Sequence, residues 1–330
     1  DTLVLIYSVT KGVAAAALAH LHARGLLDYD APVATYWPAF AAGGKQDVTV
    51  RTLLAHQAGL SGVDVRLTAR DVADADALAD ILARQAPAWP PGTRHAYHAI
   101  SLGFYQGELL RRLDPTGRSL GRYVQEELAP AVGGDLHIGL PADVPDERVA
   151  PIEKLNPWRL FLHPRALSPR FGLALAYPRS LAARSIRNPK LKGPADLDTA
   201  IWRAVEMPAS NGYATARALA SLYGSLATDG AQLGMDAATL ALLREPARLP
   251  PAGSWVGVFM RHSAYGLGFM KPGTDFGFGA TDAAFGAPGV GGSFAYADPD
   301  RASGYAYVTN RLGFNVFDDP RERALREACE

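Results

Sequence analysis

LIYSVTKGVAAAALAHL, residues 5–21, sets Ser8 and Lys11 three residues apart at the head of a run of alanines. Thr10 to Arg24 reads as a helix, with Ser8 or Thr10 near its cap, Ala14, Leu18 and Leu21 on one stripe, and Gly25 as the stop. Its other faces are alanine, so the helix belongs inside the protein, where small side chains let neighbours approach closely. A serine hydroxyl is a poor nucleophile until a base takes its proton. Lysine serves as that base only when its amine is neutral near physiological pH, which burial and a nearby positive helix end both promote. Side chains three apart share a helix face, which brings the Lys11 amine within reach of the Ser8 hydroxyl. The same helix start offers backbone N–H groups to a developing oxyanion. The bland alternative is a capping Ser8 and a surface Lys11, and S-x-x-K alone does not decide between them.

The bulk composition narrows the choice. At 330 residues the chain is long enough for one large domain or two interleaved ones. Lys plus Arg and Asp plus Glu both number 33, without a long run of like charge, so nucleic acid is not an expected partner. The one cysteine, Cys329, excludes an internal disulfide and a thiolate metal site within a single chain. No apolar stretch approaches the roughly eighteen residues of a membrane span. A cytoplasmic setting is the favoured expectation, and the oligomeric state is left open.

Thr49 to Gln57 reads as a second helix and Ala73 to Gln85 as a third, followed by the breaker AWPPGT at 88–93. From Leu140 to Met207 proline, arginine and scattered aromatics replace any clean period, as in PRALSPRFGLALAYPRSLAARSIRNP at 164–189, which suggests an irregular lid. GYATARALASLYGSLA at 212–227 restores a helical period. WVGVFM, YGLGFM, GSFAYA and GYAYVTN in the last third read as strands, and DPRERALREACE as a closing helix. The expected class is α+β, an antiparallel sheet flanked by helices plus an all-helical subdomain. The expected division is a discontinuous α/β part, 1–60 and 250–330, and a helical part, 61–249, carrying the lid at 140–207.

Two further stretches give the serine and lysine company. PGTRHAYHAISLGF at 91–104 places Tyr97 after a Pro-Gly turn, and FGAPGVGGSFAYADPD at 285–300 puts a glycine-rich strand before an acidic turn. These three motifs in this order resemble the serine β-lactamase and penicillin-binding-protein superfamily, and most of all its class C β-lactamase-like esterases, the family VIII carboxylesterases. LLAHQAGL at 53–60, GYATARALA at 212–220 and YVTNRLG at 307–313 extend the likeness over nearly the whole chain. The resemblance implies that Ser8 is acylated, that Lys11 hydrogen-bonds and activates it, and that Tyr97, first member of a Y-x-N element, relays a proton. A lysine and a helix dipole beside Tyr97 are expected to draw its pKa down. Ala287-Pro288-Gly289 stands where lactamases carry Lys-Thr-Gly and would border the substrate. Val290 would then donate its backbone N–H to the oxyanion hole together with the N–H of Ser8. Pro288 points to an edge strand, where a missing N–H faces no partner. The family also carries a helix and a strand pair before its serine motif, which are expected to be missing here.

Two polar groups of the lactamase pattern are replaced, the asparagine by Ala99 and the lysine by Ala287. The resemblance gives them the task of gripping a side-chain amide and a carboxylate of the substrate, so their loss favours a small ester over a lactam. His98 is a candidate second-shell proton partner of Tyr97, whereas His56 reads as a capping or core group. The remaining histidines show no metal-ligand spacing, so neither a metal nor another cofactor is expected. The expected activity is hydrolysis of carboxylic esters, short-chain ones, through an acyl-enzyme. The alternatives are a β-lactamase or D-Ala-D-Ala peptidase on the same fold, or a non-catalytic binding or assembly protein.

Overall fold

A computed structural model describes residues 2–153, 169–315 and 317–329. Val4–Tyr7, which the sequence did not mark as a strand, forms β1 and is buried along its whole length. It pairs antiparallel with β3 (Gly212–Ala214), whose other side pairs with β2 (Leu136–Ile138). Beyond a short pair, β4 (Trp255–Val256) and β5 (Arg261–His262), comes a five-stranded antiparallel sheet. Its members are β6 (Ala264–Tyr265), β7 (Met270–Lys271), β8 (Phe285–Pro288), β9 (Phe294–Asp298) and β10 (Ser303–Tyr307), in spatial order β10-β9-β8-β7-β6. The α+β architecture is the expected one.

Helix α1 spans Thr10–Ala23, and every residue from Thr10 to Leu21 is buried. Alanine on all faces makes this possible: α1 lies between the helix Ser101–Leu113 and β8, with room on neither side for long side chains. Gly12 marks the tightest approach. A β-carbon there would come 1.9 Å from the Tyr223 hydroxyl and 3.2 Å from the Ala287 methyl. Gly12→Ala is therefore expected to destabilise the fold by about 1–3 kcal/mol, as overpacked cores do, although alanine is the better helix former. A lower denaturant midpoint would report it, and an unchanged or higher midpoint would show that Tyr223 yields freely.

Several boundaries differ from the sequence reading for local reasons. The helix begun at Thr49 covers only Val50–Leu54, because His56 adopts a left-handed conformation (φ 62°) that ends it. Asp74 caps Ala75–Arg84, two residues later than expected. In 212–227 the first three residues are β3, and Thr215 then caps the helix Ala216–Ala227. That helix packs on β9 and β10, so part of the stretch 61–249 sits with the sheet. The main apolar cluster likewise joins Leu18 of α1 to Leu109, Leu222 and Phe285. Within 140–207 the described residues contain the short helices Pro169–Ala176, Leu181–Ile186 and Ala200–Arg203; residues 154–168 lie outside the described residues. Pro320–Cys329 forms the closing helix.

Candidate active site

β1 runs into α1 through a sharp turn. Tyr7 takes a positive φ of 49°, a conformation that costs about 1 kcal/mol or more for a residue other than glycine. The turn leaves Ser8 half-buried, while every other residue from Leu3 to Leu21 is buried. Ser8 caps nothing. Val9 occupies the N-cap without a side-chain hydrogen bond, and the Thr10 hydroxyl donates back to the Tyr7 carbonyl (2.5 Å), so the capping role considered for Ser8 and Thr10 is absent.

Lys11 is 2% exposed, and its Nζ lies 3.1 Å from Ser8 Oγ. Nζ also donates to two backbone carbonyls, Ala99 O at 2.6 Å and Ala209 O at 2.9 Å. Burial pushes the Lys11 pKa well below that of an ordinary lysine. A neutral amine has two hydrogens and one lone pair. The carbonyls can only accept and so take the hydrogens, which turns the lone pair toward the Ser8 hydroxyl. This is the arrangement of a general base and its nucleophile.

Tyr97 joins them, its ring 4.8 Å below Lys11 Nζ and flanked by His56 at 4.8 Å and Phe259 at 4.7 Å. Burial raises the phenol pKa above its usual value, and hydrogen bonding with Ser8 opposes this only in part. The expected downward shift is thus reversed. The reason is desolvation: Tyr97 is buried among the rings of His56 and Phe259, which penalises the charged phenolate.

The glycine-rich strand reaches the same place. A β-carbon at Gly289 would lie 2.5 Å from Ile6 O and 3.2 Å from the Val9 side chain, so only glycine allows this loop to close on the serine turn. Among the described residues neither the Ser8 N–H nor the Val290 N–H has a hydrogen-bond acceptor. β8 is an interior strand, which corrects the edge assignment drawn from Pro288. The local logic survives. Gly289 N–H donates toward β9 (2.7 Å, Ser293 O), so by alternation the Pro288 nitrogen faces the other side, beyond the Met270–Gly286 pairing with β7. Ala287 is buried, with its methyl toward Gly12, next to Lys11, and Ala99 enters the site through its carbonyl.

His98 stands apart from the chemistry proposed for it. Its Nε2 accepts from Leu60 N–H (3.0 Å) and its Nδ1 donates to Ala96 O (2.6 Å), which leaves no ring nitrogen for Tyr97. His56 accepts from His98 N–H at Nδ1 (3.0 Å) and its own carbonyl accepts from Ala96 N–H (3.1 Å). Burial lowers the pKa of His95 and His98 to about 4 and that of His56 well below its usual value, so all three are neutral near pH 7. Among the described residues no three His, Cys, Asp or Glu side chains gather as a metal site, and no helix is long and apolar enough to cross a membrane. Sequence reasoning missed Ala209 in PASNGY at 208–213, because a backbone carbonyl leaves no residue-type signature.

The beta-lactamase family model matches residues 1–330. The esterase/beta-lactamase LipL of Mycobacterium tuberculosis is 35% identical over 327 aligned residues, covering 94% of this chain and 70% of LipL. A family VIII carboxylesterase of known structure is 35% identical with a TM-score of 0.85, the match covering 99% of this chain and 83% of that one. A penicillin-binding-protein homologue from Caulobacter crescentus is 36% identical with a TM-score of 0.82, over 100% of this chain and 83% of that one.

Proposed function

This chain belongs to the beta-lactamase family and is a serine hydrolase, and we propose that it cleaves short-chain carboxylic esters through an acyl-enzyme on Ser8, without a metal. The observation that carries this reading is the Lys11 amine, held by two carbonyls with its remaining valence on Ser8 Oγ.

In the proposed cycle Ser8 Oγ attacks the ester carbonyl carbon while its proton passes to Lys11 Nζ. The carbonyl oxygen becomes an oxyanion facing the N–H groups of Ser8 and Val290. As the carbon–alkoxy bond breaks, the phenol of Tyr97 gives its proton to the leaving alkoxide and recovers one from the Lys11 ammonium, which returns to the neutral amine. Water then attacks the acyl carbon, its proton follows the same path in reverse to restore the Ser8 hydroxyl, and the carboxylic acid leaves.

Substrate selection follows from what borders the cleft. The alanines Ala99 and Ala287 stand where the resemblance puts an asparagine amide and a lysine ammonium for a lactam substrate, while Phe259, packed beside Tyr97 and against Phe171 and Phe317, gives an apolar wall. A chromogenic short-chain ester is expected to turn over at least about a hundredfold faster, in kcat/KM, than a chromogenic lactam, the equivalent of losing one or two charge-assisted contacts. Excess EDTA is expected to leave the ester rate unchanged. Faster lactam turnover would favour the β-lactamase alternative, and loss of activity on chelation with recovery on adding zinc would overturn the metal-free chemistry.

A further inference from the structure

The segment Ala96–Ala99 carries both Tyr97 and the carbonyl that holds Lys11, yet it belongs to no sheet. Its buried backbone polar groups still need partners. His56 serves one edge, accepting from Ala96 N–H through its carbonyl and from His98 N–H through its ring. The opposite edge is served by one hydroxyl from the lid region. Ser185, in the helix Leu181–Ile186 and 2% exposed, donates from Oγ to Tyr97 O at 2.7 Å and accepts at Oγ from Ala99 N–H at 3.0 Å. Ser185 thus holds the two peptide groups that flank His98, immediately before the Ala99–Ile100 peptide whose carbonyl takes one of the two Lys11 hydrogens.

The helix bearing Ser185 is itself fixed. Arg184 pairs with Asp64 at 2.5 Å, and Gly62 lies so close that a β-carbon would stand 3.2 Å from the Arg184 carbonyl. Just past the helix, the Asn188 side chain donates to Val63 O (2.8 Å) and Val65 O (2.7 Å) and accepts from Leu67 N–H (2.8 Å). The neighbouring helix Pro169–Ala176 packs on it and contributes Phe171, which meets Phe259 at 6.0 Å, beside Tyr97. This pair of helices therefore reaches the site twice, at the apolar wall through Phe171 and at the backbone beside Tyr97 through Ser185.

We propose that Ser185 is a positioning residue for the hydrolysis: its hydroxyl, standing in for a missing strand, sets Tyr97 and the Ala99 carbonyl so that Lys11 presents its lone pair to Ser8. The inference rests on the proposed roles of Ser8, Lys11 and Tyr97. Ser185→Ala removes one donor and one acceptor and leaves Tyr97 O and Ala99 N–H unpaired. A shift of these groups by a fraction of an ångström lowers kcat about tenfold to a hundredfold, because near-attack geometry is lost. KM for a short ester stays within about twofold, since Ser185 lies behind the backbone and does not face the substrate.

The test compares the parent, Ser185→Ala and Ser185→Thr by steady-state ester hydrolysis, expressed per site titrated to completion with an aryl phosphonate, with Ser8→Ala measured per mole of folded protein. Counting titrated sites removes any difference in folded fraction. The expected result is a kcat per site down about tenfold to a hundredfold in Ser185→Ala, with KM unchanged, and recovery of most of the loss in Ser185→Thr, which restores the hydroxyl. A kcat per site within twofold of the parent in Ser185→Ala, or a rise in KM that accounts for the whole effect, would overturn the inference. Ser8→Ala separates the two levels: if it retains turnover, the active-site reading itself has failed. If Ser8→Ala is inactive while Ser185→Ala is normal, only the role of Ser185 falls.

Discussion

Ser8→Ala is expected to lower ester turnover by roughly 10⁵-fold or more, while the thermal midpoint stays close to that of the parent. The size follows from the unit in which Ser8 acts. Lys11 and Tyr97 are arranged around its hydroxyl, and removing a nucleophile from such a unit forfeits most of what the unit contributes. The small stability effect follows from local geometry. Ser8 is half-buried, and the N-cap is Val9, so alanine at position 8 removes no capping hydrogen bond. The change is expected to fall within about 0.5 kcal/mol, as for substitutions that touch no structural feature. Residual hydrolysis above about one-thousandth of the parent rate, in a folded protein, would move the nucleophile elsewhere.

Replacement of Lys11 carries the second large effect, about 10⁴-fold in kcat/KM for Lys11→Ala, at the upper end of what one general base contributes. Lys11→Arg is expected to be as inactive. Arginine keeps the positive charge but stays protonated at any accessible pH, so it cannot accept the Ser8 proton. An active Lys11→Arg would show that the site needs a cation and not a base. The pH profile gives the same answer from another direction. In the parent, kcat/KM falls as the pH is lowered, because protonation of Lys11 removes the lone pair, and it levels off above the apparent pKa. That limb is absent in Lys11→Ala. His95 and His98, lowered to about 4, titrate too far into acid to supply a limb near neutrality.

Stability carries the matching signature. The folded pKa of Lys11 lies below its unfolded value of 10.5, so in between the unfolded chain binds more protons. The contribution of this residue to stability therefore rises with pH across that window and is lost as the pH falls through it. Lys11→Ala is expected to flatten that slope.

The centre of the site was legible because the spacing spans one turn: Ser8 precedes the helix, yet the turn closed by Lys11 N–H on Ser8 O (3.1 Å) brings the two side chains together as i, i+3 spacing does. The alanine run was equally readable as burial. The parts that were not readable depend on backbone paths. The positive φ at Tyr7 and at His56 has no composition signal, so β1 went unseen and the helix after Thr49 was drawn too long. Pro288 pointed correctly to a missing hydrogen-bond partner, but the partner was lost through the end of a β7 pairing and not through an outer strand. Tyr97 does lie beside Lys11, but its pKa shifts the other way, because burial of the phenol outweighs what its neighbours supply and burial depth is not legible in the sequence. Ala209 offers only a backbone carbonyl, which any residue type has, and Ser185 uses a hydroxyl whose partners are backbone groups 86 and 88 residues away in sequence.

Covalent labelling addresses the central claim, that Ser8 is a nucleophile activated by neutral Lys11. The protein is incubated with an aryl phosphonate near pH 7, and its intact mass is followed in time before the modified peptide is sequenced. The account predicts one phosphonyl group per chain, carried on Ser8, absent in Ser8→Ala and formed at least about a thousandfold more slowly in Lys11→Ala. An adduct on another residue, or labelling of Ser8 at the parent rate without Lys11, would contradict it.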